Sequence, residues 1–125
     1  LGAVHNERDH DAWMSSIDHI NTTPGFEKWD WPTPMSLDDN LSDLVGHAKD
    51  FDNRTGFTCS VLDGDNVIGC IYIYPTNEPG CDAAVRSWVR QSRSEMDVVV
   101  WLTVSDWLAE TWPFDSPCYA SRQTS

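Results

Sequence analysis

Basic side chains are scarce in this chain: eight Lys and Arg stand against 20 Asp and Glu, a formal net charge of −12 over 125 residues. So acidic a surface repels phosphate backbones and anionic lipid, which argues against nucleic acid and membranes as partners. Metal-type cysteine spacing is missing too. Cys59, Cys70, Cys81 and Cys118 form no C-x-x-C pair, so no metal site is expected. No apolar run approaches the roughly 18 residues of a membrane helix, and no signal-peptide pattern opens the chain. The simplest placement is cytoplasmic, with all four thiols reduced. The first residue is Leu1 rather than Met, which suggests an N-terminal segment removed or left out.

Tryptophan, by contrast, is abundant: seven residues, where about two are usual for this length. Large rings bury much area and often line pockets. The length suits one domain, residues 1–125, with 121–125 as a frayed tail. Three of the eight basic residues, Arg86, Arg90 and Arg93, fall within eight positions. They either serve one anionic ligand or pair with the many carboxylates.

Periodicity predicts a first helix over 6–20, where Trp13, Ile17 and Ile20 share a face. Residues 21–35 form a loop with three prolines and three aromatic rings, Phe26, Trp29 and Trp31. A loop that apolar must lie on the core or on a ligand. Ser36 is a good N-cap for a helix over 37–53, with Asp38 and Asp39 in its first turn. Leu37, Leu41, Leu44, Val45, Ala48 and Phe51 give that helix a continuous apolar stripe. His10 and His47 fall on the polar sides of their helices and are expected at the surface.

The period then switches to two. Residues 57–62 and 67–74 read as a hairpin around Asp63-Gly64-Asp65-Asn66. Pairing Leu62 with Val67 would set Cys59 opposite Cys70. The second strand is apolar on both faces, as in a sheet covered on both sides. After a loop over 75–82, residues 83–90 form a third strand, with Arg86, Trp88 and Arg90 on one face. Residues 98–112 form a helix, with Asp97 as N-cap and Val100, Val104 and Leu108 at four-residue steps. Pro113 ends it, and a short strand lies within 114–121. The order α-α-β-β-β-α-β predicts an α/β (α+β) fold, a mixed and mostly antiparallel sheet with helices on both faces.

This order, with its residues, resembles the GNAT superfamily of N-acetyltransferases. VLDGDNVIGCIYIYP is similar to the family's central hairpin, including a V-I-G opening of its second strand. SWVR resembles the end of the next strand, and VVVWLTVSDWL the long helix after it. The resemblance covers roughly residues 3–121, with the family's first strand missing. Without that strand the hairpin's first strand becomes an edge, which favours a homodimer.

The resemblance implies acetyl-CoA as co-substrate, bound in a V-shaped gap between the third strand and the last. The family's pyrophosphate sits on a glycine-rich turn at a helix N-terminus. The matching segment here, Gln91 to Asp97, contains no glycine. The cofactor-binding candidates are Trp88, Val89, Arg90, Arg93 and Ser94. Trp29 and Trp31 fall where the family's acceptor loop lies, so they would contact a small-molecule or peptide amine. Residues 83–90 contain no Glu to act as base. Asp82 and Tyr119 are the catalytic candidates, with Glu27 and Asp30 as further carboxylates. The alternative is a GNAT-fold protein without catalysis, a small-ligand-binding or protein-interaction module.

Overall fold

The computed structural model describes residues 2–26 and 31–122. After a 3-10 turn, α1 (Asn6–Met14) and α2 (Ile17–Asn21) take the place of the single helix expected over 6–20. The break falls at Ser15-Ser16, where Ser16 Oγ accepts a hydrogen bond from the Gln91 backbone N–H at 2.8 Å. A serine that gives its hydroxyl to a distant backbone group leaves the helix free to turn.

Helix α3 (Leu37–Asn53) starts where the sequence places it, with Ser36 Oγ accepting from Asp39 N–H at 3.1 Å. Its apolar stripe behaves differently from expectation. Leu37, Leu41, Val45 and Phe51 are exposed, and only Leu44 of the stripe is buried. Asn40 instead docks the helix: it accepts from Trp13 Nε1 at 3.0 Å and donates to Asp9 at 3.2 Å. A buried polar contact with every partner in place fixes rotation about the helix axis as firmly as an apolar stripe.

Strands β1 (Phe57–Asp63), β2 (Asn66–Tyr74), β3 (Ala83–Val89) and β4 (Pro117–Tyr119) form one sheet in that order. The first three are antiparallel, and β4 runs parallel to β3. Leu62 faces Val67 as expected, but the register slips between Val61 and Leu62. Cys59 therefore faces Ile71, and Ser60 faces Cys70. The extra residue in β2 also puts Val67 on the same face as Cys70, against strict alternation.

Two cores result. On one face Ala12, Trp13 and Ile20 pack with Phe26, Cys70 and Trp88. By burial area each of the two Trp contributes about 5 kcal/mol, an upper estimate. On the other face α4 (Asp97–Thr111) lays Val100, Val104 and Leu108 on Ile71, Ile73, Val85 and Val89. Residues Gln91–Met96 form a 3-10 segment leading straight into α4. Asp97 is thus the first helical residue, and the N-cap is Met96.

Two expectations about side chains are corrected. Cys81 and Cys118 form a disulfide, while Cys59 and Cys70 remain thiols. The pairing follows from topology: Ala84 lies opposite Cys118, which brings Cys81 to 5.6 Å between Cα atoms. The chain end is also not wholly frayed, because Arg122 is buried. No helix among the described residues is long and apolar enough to cross a membrane.

Candidate functional site

A cavity of about 580 Å³ lies between α3 and the sheet. The face of α3 that a helical wheel reads as polar supplies Asp43, His47 and Asp50, and α1 adds Asp9. Positions 43, 47 and 50 are spaced four and three apart, so they stack on one side over two turns. The sheet side is aromatic and basic: Tyr72 and Tyr74 from β2, then Ala84 and Arg86 from β3. Trp31 closes one wall. Three carboxylates against one guanidinium give the cavity a preference for cations.

His47 is held by a relay. Tyr74 donates its hydroxyl proton to Asp50 Oδ2 at 3.1 Å, and its oxygen lies 3.0 Å from His47 Nδ1. Thr58 Oγ1 stands 3.2 Å from both His47 Nδ1 and Tyr74 Oη. With the Tyr74 proton committed to Asp50, Nδ1 is the donor of the His47–Tyr74 contact, which leaves the lone pair on Nε2. Burial lowers the His47 pKa, against the opposing pull of Asp43 and Asp50. Burial also raises that of Tyr74, which keeps its proton on the hydroxyl. Asp9, 4% exposed, has its carboxyl pushed up by burial, with the Asn40 hydrogen bond opposing.

The clustered arginines take separate partners. Arg86 donates from Nε to the Gly25 carbonyl at 3.0 Å. Arg90 meets Asp11 at 3.0 Å, and Arg93 meets Asp63 at 2.8 Å and Glu95 at 3.3 Å. Trp88 and Val89 are wholly buried on opposite faces of β3, and Trp88 Nε1 donates to Tyr72 Oη at 2.9 Å. Ser94 is exposed. Asp82 caps the entry to β4, accepting from the backbone N–H of Asp115 at 2.7 Å and of Ser116 at 3.1 Å. Tyr119 shares a short hydrogen bond with Ser87 Oγ, and burial raises its pKa.

β4 pairs with β3 from Ala83–Pro117 to Val85–Tyr119 and ends there. Arg122, three residues on, reaches back to β3 and α4. Its Nη2 donates to the Ser87 carbonyl at 2.9 Å and its Nε to Asp97 Oδ2 at 2.9 Å. Among the described residues no group of three or more His, Cys, Asp or Glu is placed to hold a metal ion.

The sequence matches no family model and no curated protein. Solved structures match in shape. One described as a probable acetyltransferase superposes on 100% of this chain with TM-score 0.71 and 13% identity, and the chain spans 69% of its length. A second, provisionally described as a ribosomal-protein-serine acetyltransferase from Vibrio cholerae, gives TM-score 0.63 at 12% identity. It covers 86% of this chain, which spans 59% of that structure. A ribosomal-protein-alanine N-acetyltransferase from Brucella melitensis biovar Abortus 2308 gives TM-score 0.56 at 13% identity, over 98% of this chain and 78% of its own.

The chain has a GNAT-like fold. The sequence resemblance leads one to expect acetyl-CoA between β3 and β4. The acidic cavity adjoins the same stretch of β3, because Ala84 and Arg86 line it and flank Val85, the last paired residue. Of the acceptor candidates, Trp31 lines the cavity and also packs on Trp13 and Trp88, with ring centroids 5.3 and 6.1 Å apart. Trp29, Glu27 and Asp30 lie outside the described residues.

His47, expected at the surface, instead sits half-buried in the cavity wall. The sequence held one signal for it: an acid–His–acid series at helical spacing, Asp43, His47 and Asp50. Tyr74 and Thr58 carried no such signal, since they join His47 only through strand pairing, Thr58 lying opposite Tyr72.

Proposed function

We propose that this protein transfers an acetyl group from acetyl-CoA to an amine, and that the amine enters the acidic cavity between α3 and the sheet. One observation carries the reading: Ala84 and Arg86, which line the cavity, flank Val85, the last β3 residue paired with β4, so an ammonium ligand in the cavity and a thioester beside β4 would approach the same stretch of β3. Asp43 and Asp50 would attract the cation, and Trp31 would pack on its apolar part. The acetyltransferase neighbours support the reaction class.

Acetyl-CoA would lie between β3 and β4, where the Arg122 side chain now stands. The β3 edge beyond Val85 is free of β4, and the N-terminal end of α4 stands at the opening. Arg90 and Arg93 are the cations beside the Gln91–Met96 segment, and Ser94 offers a hydroxyl. Backbone of Trp88 and Val89 would flank the ligand. Arg122 must first leave the Ser87 carbonyl and Asp97. When bound, the thioester supplies the activated acetyl group. The chain supplies orientation and a proton acceptor. Tyr119, beside the gap, is the candidate to protonate the leaving thiolate, whereas Asp82 is occupied by backbone N–H groups.

The Arg122–Asp97 pair favours a second reading, a GNAT-fold protein that binds a cationic ligand in the cavity and transfers nothing. Thermal unfolding separates the two. About 1 mM acetyl-CoA at micromolar affinity stabilises a protein by roughly 4 kcal/mol, a rise of several degrees. A rise, with an amine acetylated as seen by mass spectrometry, supports the transferase. No rise, with 1,4-diaminobutane still raising the melting temperature, supports the second reading.

A further inference from the structure

We infer that His47 is the proton acceptor of this site, with Asp50 and Tyr74 fixing its tautomer; the inference rests on the transferase reading above. The geometry comes from three elements that only the fold brings together. Asp50 and His47 stand on successive turns of α3, Tyr74 ends β2, and Thr58 lies in β1. The chain Asp50–Tyr74–His47 runs at 3.1 and 3.0 Å, with Thr58 Oγ1 3.2 Å from both Tyr74 Oη and His47 Nδ1. It ties Nδ1 to the Tyr74 hydroxyl, while His47 lines the cavity. Nε2 makes no hydrogen bond among the described residues.

An ammonium ion is no nucleophile, so an amine must lose a proton before it attacks an acyl carbon. Here the R–NH₃⁺ proton passes to the Nε2 lone pair, giving a free amine and an imidazolium. The amine lone pair forms the C–N bond on the carbonyl carbon of an acyl thioester while the C–S bond breaks. The new amide nitrogen gives up its second proton, which the departing thiolate takes up through solvent, and the imidazolium returns its own to solvent. The charged groups facing His47 suit both halves of the cycle. Asp43 and Asp50 from α3 and Asp9 from α1 attract the incoming cation and stabilise the imidazolium, and Arg86 from β3 opposes them from the far wall. Asp50 also orients the relay, since its Oδ2 accepts from Tyr74.

The test uses the full chain, acetyl-CoA and 1,4-diaminobutane. His47→Asn keeps a donor at the Nδ1 position but removes Nε2. It should lower kcat about 100-fold, with KM for the amine and the acetyl-CoA thermal shift both unchanged within threefold. Tyr74→Phe frees the tautomer and should move the acidic limb of the kcat/KM profile while lowering the rate less. Side-chain ¹⁵N spectra without acetyl-CoA give an independent readout. Nδ1 should be protonated and Nε2 bare, and 1,4-diaminobutane should shift the Nε2 signal. Turnover by His47→Asn within threefold of wild type overturns the inference alone, as does a protonated Nε2 in the free neutral protein. If the wild type neither responds to acetyl-CoA nor acetylates any amine, the transferase reading falls and takes this inference with it.

Discussion

Arg122 Nε donates to Asp97 Oδ2 at 2.9 Å, with the arginine side chain 2% exposed and the aspartate 19%. One guanidinium thereby ties the chain's last described residue to the start of α4 and to the β3 backbone at Ser87. The pair occupies the opening where β4 leaves β3.

Arg122→Ala should therefore have two opposed effects. Breaking a buried pair leaves Asp97 and the Ser87 carbonyl short of partners, so stability should fall by about 2–3 kcal/mol in urea unfolding. If the gap takes acetyl-CoA, the same variant should show a larger thermal shift with that ligand than the wild type does. A smaller shift would mean that Arg122 is itself a ligand contact.

The Cys81–Cys118 disulfide closes a loop across a separation of 37 residues. On the chain-entropy account such a link stabilises by about 2–4 kcal/mol. Dithiothreitol should lower the urea midpoint accordingly, and a Cys81→Ser, Cys118→Ser variant should lose that sensitivity. Non-reducing peptide mapping should recover one linked pair, with the buried Cys70 alkylated only after unfolding.

Two cavity residues make stability depend on pH in opposite directions. The His47 pKa is lower in the fold than in the unfolded chain. Its contribution is present above the ordinary histidine value and is lost as pH falls below it toward the folded value. The Asp9 pKa is higher in the fold. Its contribution is complete below the ordinary carboxylate value and is lost as pH rises through the folded value. His47→Asn should flatten the fall in stability on the acid side of neutrality. Asp9→Asn should remove the loss on the alkaline side of the carboxylate range, and at neutral pH it should cost less than 1 kcal/mol or stabilise. Urea unfolding at several pH values reads both slopes.

Gly56 holds the relay in place from behind. A Cβ there would overlap the Tyr74 ring, which the hydroxyl contacts to Asp50, Thr58 and His47 pin at its far end. Gly56→Ala should cost about 1–3 kcal/mol. It should also release His47 Nδ1 from Tyr74, seen as mixed tautomers in ¹⁵N spectra. An unchanged Nδ1–H signal would show that the ring can shift without breaking the relay.

The sheet and its flanking helices were legible because each segment carries a strong local period. Val100, Val104 and Leu108 repeat every four residues and are buried, and Ser36 caps α3 as its side chain requires. The loop over 21–35 was legible as something that must be covered, and Trp31 does lie on Trp13 and Trp88. The site was much less legible. A helical wheel ranks faces by hydropathy, so it turned the Leu37–Phe51 stripe inward and His47 outward. Asn40, with three hydrogen-bonding partners, set the rotation of α3 the other way. The bulge at Val61–Leu62 was equally invisible, because β2 is apolar on both faces and its sequence does not mark where alternation breaks.

The sequence by itself determined the order of elements, the hairpin turn, the helix start at Ser36 and the acidic charge, since these depend on neighbours within a few positions. The tertiary structure alone decided which residues meet. It joined Cys81 to Cys118, closed the β3–β4 opening with Arg122 and Asp97, and gathered Asp50, His47, Thr58 and Tyr74 around one proton. Those contacts span 11 to 37 positions along the chain, and they form only once strands pair and helices dock. In the stretch from Trp88 to Trp107, local pattern reads a strand and a helix, and only packing shows that Asp97 belongs to Arg122.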